Sequence, residues 1–451
     1  MTEQSQLRRL GLFDTRVPRY TSYPTAPHFG AGVTADTVAG WMRAIPENGE
    51  VSVYVHIPFC RRLCWFCACR TQGTATGSPI EGYLDSLRAE LQLLRRNLAP
   101  GVRLSRLHFG GGTPTLLSPE QFLRLTRDIE AITPRAPGSE ISVEVDPNEL
   151  DDARLDALAE AGMTRASIGV QDFDPEIQDC IGRRQSWEVT KSAVDGLRAR
   201  GITSLNADIL YGLPHQTPER IAASVQKLLS LSPDRVALFG YAHVPWMARR
   251  QSLIPTDALP GPESRLKLYE VARQLFVWDG YAEIGIDHFA RPDDGLEIAR
   301  RTGGLRRNFQ GYTDDRVDTL IGLGASSISR YPQGYAQNAT STGAYQKVLA
   351  AHMLPIQKGH ALSDEDRLRG AAIEALMCDF SADAATLAQR TGLPQARAAA
   401  ILATLPELCP EIVSHAPGRV WLEPGMRPLV RIAARALDAY AMNPSGHSLA
   451  V

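Results

Sequence analysis

Residues 51–70 read VSVYVHIPFCRRLCWFCACR, and the order of features in this stretch decides the fold. VSVYVHI reads as a β-strand. Four cysteines follow within ten residues: Cys60, Cys64, Cys67 and Cys69. The other three, Cys180, Cys378 and Cys409, are scattered and read as small buried hydrophobes. Seven is an odd number, which in a large chain argues against a secreted disulfide framework. In a cytosolic protein so tight a cluster points to metal binding or catalysis.

Outward from that loop, strand and helix patterns alternate. Further strands are expected at RLHF (106–109), ISVEV (141–145), RASIGV (165–170), LNADILYG (205–212) and VALFGYAHV (236–244). Amphipathic runs lie between them, such as EGYLDSLRAELQLLRRNL (81–98), ARLDALAEAGM (153–163) and WEVTKSAVDGLRARGI (187–202). Six such units predict an α/β fold, a partial (βα)6 barrel whose site gathers at the C-terminal ends of the strands. The cysteine loop follows the first strand and GGGTPT the second; Glu144 to Asp146 end the third and Gln171 the fourth. Residues 1–48 fall outside the repeat. Their PRYTSYPTAP segment predicts an extended arm rather than a long helix, one that either covers the barrel mouth or straps the outer helices. Residues 49–360 form the barrel with its extension. Residues 361–451 read as a mostly helical C-terminal domain, from DEDRLRGAAIEALMC to PLVRIAARALDAYAM, with a β-like RVWLEP at 419–424.

At 451 residues the chain exceeds a single core and predicts two or three domains. Its net charge of −2 gives no global attraction to nucleic acid or anionic lipid. No apolar run approaches the roughly 20 residues of a membrane span. No secretory signal is visible at the start, so a cytoplasmic protein is expected. No long heptad seam is present, and a monomer is the default.

The loop Cys60-Arg-Arg-Leu-Cys64-Trp-Phe-Cys67 supplies three thiolates from one short stretch. Thiolates ligate iron–sulfur clusters. A cubane has four irons, so three ligands leave one open to chelation by the amino and carboxylate groups of S-adenosylmethionine. Zinc sites more often pair two C-x2-C knuckles across a longer loop, and no second knuckle is present. Cys69 as a fourth ligand would close the cluster, so it is expected beside the cluster without ligating it. Gly110, Gly111 and Gly112 allow close backbone approach to a ligand, and their amides are candidates to hold its carboxylate or amino group.

These residues resemble the radical S-adenosylmethionine superfamily. YVHIPFCRRLCWFCACR, LHFGGGTPT, SVEVDPNEL, SIGVQDF and DILYGLPHQT are similar, within it, to the oxygen-independent coproporphyrinogen III oxidase family. So are PRYTSYPTA near the start, GIDHFARPDD (285–294), RNFQGYT (307–313), GLGASSIS (322–329) and YAQN (335–338). The likeness thins after about residue 380. It implies one [4Fe–4S] cluster on Cys60, Cys64 and Cys67 and two molecules of S-adenosylmethionine. It implies oxidative decarboxylation of two propionates of coproporphyrinogen III, in haem biosynthesis. A 5′-deoxyadenosyl radical takes hydrogen from the propionate β-carbon, and loss of CO2 and an electron leaves a vinyl group. A low-potential electron donor is required. The resemblance implies catalytic positions at Tyr54, Cys69, Phe309 and Gln310. It implies cofactor-binding positions at Tyr54, Phe66, Ala68, Gly111, Gly112, Thr113, Glu144, Gln171, Arg183, Asp208, Ala242 and Ile328.

The chain departs from the family at Ala68, where glycine is common, and at Arg70, where asparagine is commoner. The first departure bears on the second cofactor site. Arg19, Arg61, Arg62 and Arg291 are candidate partners for propionates, since guanidinium suits bidentate carboxylate recognition. His56 is a core histidine or a donor near the cluster; His108, His243 and His288 read as structural. Of Arg183 and Arg184, one is expected to be a solvated helix charge. Relatives that bind haem, and radical methyltransferases or anaerobic haem-degrading enzymes, are the alternative readings. The N-terminal arm, Cys69 and the absence of an HNxxYW-like motif at Arg307–Tyr312 favour the decarboxylase.

Overall fold

The computed structural model describes residues 3–441 and residue 450. At its centre is a twelve-stranded sheet. Six neighbouring strands follow chain order: β1 (Glu50–Ile57), β2 (Arg103–Gly111), β3 (Arg135–Val145), β4 (Arg165–Gln171), β5 (Ser204–Tyr211) and β6 (Arg235–Gly240). All five pairings among them are parallel. The principal helices between and after them are α1 (Ser78–Asn97), α2 (Pro119–Glu130), α3 (Asp152–Glu160), α4 (Trp187–Ala199), α5 (Pro218–Leu229) and α6 (Pro262–Trp278). This is the partial (βα)6 barrel that the repeat predicts.

The strands alternate in what they offer each face. Val51, Val53, Val55 and Ile57 of β1 are buried, as are Ile141, Val143 and Val145 of β3 and Ala166, Ile168 and Val170 of β4. They share one core with Leu84, Leu87, Leu91 and Leu94, which fall three or four residues apart on α1. Phe109 of β2 meets Phe122 of α2 in that layer, ring centroids 4.9 Å apart. Truncating so buried a phenylalanine costs about 3–5 kcal/mol. The intervening residues touch one another across the strands, and they are polar. Register pairs Arg106 with Glu140, Tyr54 with His108 and Ser167 with Asn206.

The sheet extends at both edges beyond the six predicted strands. β7 (Ala282–Ile284) and β8 (His288–Ala290) continue it antiparallel past β6. On the other side β9 (Leu320–Leu323) lies parallel to β1, followed by antiparallel β10 (Ile328–Tyr331), β11 (Gly334–Asn338) and β12 (Ile356–Ala361). Glu90 of α1 fastens this edge: its carboxylate accepts from the Gly324 amide (2.8 Å), Tyr345 (2.6 Å) and Asn338 (2.6 Å).

PRYTSYPTAP has no long helix; short helices Glu3–Arg9 and Ala35–Arg43 flank it. Leu12, Phe13, Val17, Tyr20 and Tyr23 enter a second core with Leu368, Ile373 and Leu376 of α7 (Asp364–Asp379). The first segment of the chain and the C-terminal helices therefore share one interior. Two expected elements are shorter than predicted. The strand VALFGYAHV leaves the sheet after Gly240, because Gln251 draws the Val244 amide away from it (2.6 Å). The helix PLVRIAARALDAYAM covers only Val430–Ala436. Asp438 ends it by accepting the Tyr440 amide (2.9 Å), a local side-chain bond that competes with the helical ladder. Met442 lies outside the described residues. Among those, no helix is long and apolar enough to cross a membrane.

Candidate active site

After β1 the chain enters the cysteine loop. Phe59–Cys60 pairs with Gln72–Gly73 and closes it. The Trp65 amide donates to the Ile181 carbonyl (2.9 Å), while Trp65 and Phe66 pack against Ile177, Ile181, Leu210 and Tyr241. Cys60, Cys64 and Cys67 are half-buried free thiols and Cys69 is exposed. Cys69 points its amide at the Cys67 sulfur, 3.4 Å away. Arg183 aims Nη1 at the Cys64 sulfur (3.4 Å) and bonds the Gly169 carbonyl (2.7 Å) and Gln185 (2.9 Å) through Nη2. Its buried Nε has no hydrogen-bond partner among the described residues. A buried unpaired donor beside three thiols is chemistry that an anionic ligand at this loop completes. Among the described residues no three His, Cys, Asp or Glu side chains converge on a point, as a single metal ion would require. A cubane takes its thiolates at separate corners, one per iron.

The rim of the barrel surrounds this loop. The Tyr54 hydroxyl lies 3.0 Å from His56 Nδ1, and His56 Nε2 lies 3.1 Å from the Arg70 carbonyl. Burial lowers the pKa of His56 and favours its neutral form. A carbonyl only accepts, so Nε2 carries the proton and Tyr54 donates to Nδ1. That chain of bonds ties the first strand to the end of the cysteine loop. Tyr54 also stacks on His108, centroids 5.7 Å apart. Glu144 accepts from the Gly111 amide (3.0 Å) and faces His108 (3.5 Å). Burial alone would raise its pKa; His108 and the Gly111 amide outweigh this and hold it below the ordinary carboxylate range. Asp208 accepts from Asn206 (3.0 Å). Burial, with Glu144 adding negative charge, pushes Asp208 up to about 6. Gln171 ends β4 with φ 69°, a left-handed conformation rare outside glycine and often found where a site holds a side chain in place.

The glycine turn works differently from the sequence expectation. Its amides are occupied: Gly111 donates to Glu144, Gly112 to the Ile57 carbonyl (2.8 Å) and Thr113 to the Phe59 carbonyl (2.7 Å). They fasten the turn to the cysteine loop and are not available to a ligand. The residue type is required by closeness. A Cβ on Gly111, whose φ is +109°, would lie 2.5 Å from the His56 ring, and one on Gly112 would lie 2.5 Å from the Phe59 carbonyl.

Phe66 and Ala242 come together through a residue that sequence reasoning missed. Gln251, 1% exposed, donates to both their carbonyls (2.8 and 3.1 Å). It sits in the irregular segment after β6, where no periodicity marks a buried side chain. Next to it Arg250 reaches Thr71 (3.0 Å) and the Cys69 carbonyl (3.4 Å). Ile328 lies against Gly322, which is in register with Tyr54. Ala68 is exposed on the loop. Phe309 and Gln310 form the tip of a hairpin, where their contacts run to Tyr335 (6.0 Å between centroids) and to Asn308 (2.8 Å). Arg19 reaches the Gly240 carbonyl at the barrel rim (2.7 Å). Arg291 is a correction: it stacks on Tyr281 and bonds the Pro233 carbonyl, at the far end of β6 from the rim. Arg61 bonds the Thr74 carbonyl (3.2 Å), Arg62 is exposed, and Arg184 is a solvated charge paired with Asp179. His108, His243 and His288 each have polar partners, as expected of structural histidines.

A three-thiolate loop, a pinned glycine turn and carboxylates on the third and fifth strands lie on one rim. A profile of the radical SAM superfamily matches residues 54–228. An oxygen-independent coproporphyrinogen III oxidase of Paracoccus denitrificans is 60% identical over 451 residues, covering 100% of both chains. The chain belongs to the oxygen-independent coproporphyrinogen III oxidases. An enzyme of that name from Cereibacter sphaeroides is 56% identical over 98% of each chain. The solved structure of coproporphyrinogen III oxidase from Escherichia coli, described as a radical SAM enzyme, superposes with a TM-score of 0.88. It shares 37% identity, covering 94% of this chain and 98% of that one. This member of the family is therefore an oxidoreductase of the radical S-adenosylmethionine type, with a [4Fe–4S] cluster and S-adenosylmethionine as its cofactors.

Proposed function

We propose that this enzyme converts two propionates of coproporphyrinogen III to vinyl groups without oxygen, giving protoporphyrinogen IX. The observation that carries the reading is the full-length likeness at 60% identity. Cys60, Cys64 and Cys67 hold the cluster and leave one iron to S-adenosylmethionine. When bound, the two cofactors together supply the electron and the 5′-deoxyadenosyl radical that takes a hydrogen from the propionate β-carbon. The chain's own residues position and enclose. Arg183 steadies the Cys64 sulfur and offers its Nε to the cofactor carboxylate. Glu144 and Asp208 are acceptors for ribose hydroxyls, and Gln171 and Thr113 border the same space. Gln251 holds the Phe66 and Ala242 backbones as one wall. Tyr54, hydrogen-bonded to a neutral His56, lines the floor. Ala242 and Ile328 border the cofactor space, and Ala68, Phe309 and Gln310 lie toward the second S-adenosylmethionine. Electrons come from a low-potential donor, and the enzyme works as a cytoplasmic monomer. The test is anaerobic incubation of the reconstituted protein with coproporphyrinogen III, S-adenosylmethionine and a reductant, followed by porphyrin analysis. Protoporphyrin after oxidation is the expected product; unchanged coproporphyrin with active cofactor cleavage would refute the substrate.

A further inference from the structure

A pocket that the proposed chemistry leaves unused opens below the rim, on the side of β9 and β10. Thr21 of the PRYTSYPTAP segment, Arg306, Arg307 and Phe309 of the hairpin, Asp315, and Arg330 of β10 line it. Arg330 pairs with Leu320 of β9, which is in register with Ser52, whereas Ile328 lies against Gly322, in register with Tyr54. Residues two apart on a strand share a face, so Arg330 stands one step below Ile328 on the same side. The open space is about 20 Å³. Roughly one or two water-sized groups fill such a space, so it takes a terminal group such as a carboxylate and no ring.

Three guanidiniums and one carboxylate line this pocket, and the charges are unevenly met. Asp315 is taken: it accepts from Ser52 and from the Val317 amide (3.0 Å). Arg307 is 6% exposed; its Nε and Nη2 share the Arg19 carbonyl (3.3 Å each), and its buried Nη1 has no hydrogen-bond partner among the described residues. Arg306 faces Glu374 at 4.0 Å, and Glu374 is bound to Arg390 and to the Arg307 amide (2.9 Å). Arg330 makes no hydrogen bond and no ion pair among the described residues; Glu374, Asp318 and Asp315 act on it from beyond bonding distance. Buried donors are ordinarily paired, and two incompletely bonded guanidiniums in one pocket call for an anion.

We infer that Arg330 and Arg307, with the Thr21 hydroxyl, form a carboxylate-binding pocket that holds a propionate which the reaction leaves intact. The inference rests on the proposed substrate and names where it is anchored. Phe309 belongs both to this pocket and to the residues placed toward the second S-adenosylmethionine, so the pocket borders the reactive space. The carboxylates of S-adenosylmethionine have the open iron and Arg183 to meet, whereas the tetrapyrrole carries more propionates than it loses. Guanidinium presents paired N–H donors that match a planar carboxylate, which the lysine ammonium does not.

The test titrates coproporphyrin III, the fluorescent oxidised form, into the whole protein, with its tetramethyl ester as the uncharged probe and S-adenosylmethionine as the other carboxylate. Arg330→Gln is expected to weaken coproporphyrin III binding about tenfold, as loss of a hydrogen bond to a charged group does. Binding of the ester and of S-adenosylmethionine is expected to stay the same, and Arg330→Lys to recover part of the loss. Thr21→Asp, on a separate segment, puts a competing carboxylate in the pocket and should weaken the acid in the same selective way. Retained cluster absorption shows that each variant is folded, and Thr21→Asp carries the test where Arg330→Gln does not fold. Unchanged acid binding, equal weakening of acid and ester, or weakening of S-adenosylmethionine alone would overturn the pocket. Wild-type protein that makes the vinyl product while the variants bind the acid normally fails this inference alone. Wild-type protein that makes no such product fails the functional reading itself.

Discussion

The two ends of the same six strands carry similar residue types and use them in opposite ways. At the N-terminal end Arg106, Arg165 and Arg235 interleave with Glu140, Asp294 and Asp314, at distances such as 2.9 Å for Arg165–Glu140 and 2.7 Å for Arg235–Asp294. Each charge there lies near an opposite one, although Arg165 Nε and Nη1, Arg235 Nη2 and Asp314 Oδ1 have no hydrogen-bond partner among the described residues, and the network plugs the barrel. At the C-terminal end Glu144 and Asp208 face mainly neutral donors and each other's charge. Arg183 faces a thiol and keeps an unpaired Nε. Two residues along a strand separate successive layers, so this contrast is drawn within a single alternation: Glu140, Ser142, Glu144 on β3. The end where charges pair with one another fills the barrel, and the end where Arg183 faces thiols is its reactive end.

The largest effect should come from the loop at the reactive end. Alanine at Cys60, Cys64 or Cys67 should abolish the visible absorption of the reconstituted protein and its activity, whereas Cys69→Ala should keep most of the absorption. Loss of absorption in Cys69→Ala with retention in Cys67→Ala would reverse the ligand assignment.

At the opposite end Glu140→Ala removes one partner from each of two arginines, Arg106 and Arg165. It should cost about 3 kcal/mol of stability, read by thermal unfolding of matched preparations, because removing one partner of a buried pair leaves uncompensated charge. Its affinity for S-adenosylmethionine should match wild type. A change in that affinity would show that the two ends are not independent.

Glu144→Gln tests the reactive end without unfolding it. The amide can still accept from Gly111, but it loses the charge that His108 and a ribose hydroxyl meet, so kcat/KM should fall about tenfold with little change in melting temperature.

The smallest effect is one of pH. Burial raises Asp208 to about 6, so its neutral form is the one the fold favours. Its contribution to stability is present below the ordinary carboxylate value and is lost as pH rises through about 6. Binding works in the other direction, because a ribose hydroxyl is better met by the ionised form. Affinity for S-adenosylmethionine, measured by equilibrium binding from about pH 8 to about pH 5, should therefore decline several-fold as Asp208 protonates. Asp208→Asn should flatten that profile.

Much of this contrast could be read in the sequence, for physical reasons. β1 to β6 were legible because each is long enough to show its pattern and most are separated by an amphipathic helix such as α1. β7 to β12 were not, since they span only three to six residues and pair antiparallel or across a long chain separation. Rim residues such as Glu144 and Gln171 announced themselves by falling at strand ends. The glycine turn was correctly placed and wrongly employed, because only coordinates reveal that the Gly112 and Thr113 amides are already bonded. Gln251 left no signal, being a polar residue in an irregular loop whose burial depends on segments far away in sequence. Arg19 was one candidate among four, and its position came from the arm's apolar residues joining the C-terminal core.

The central claim is that the reactive end directs a radical to the β-carbon of a propionate. The direct measurement uses coproporphyrinogen III deuterated at the propionate β-carbons, turned over anaerobically with S-adenosylmethionine, and mass analysis of the 5′-deoxyadenosine formed. Deuterium in 5′-deoxyadenosine, one for each vinyl group made, is the result expected. Vinyl formation with no deuterium in 5′-deoxyadenosine would contradict the account.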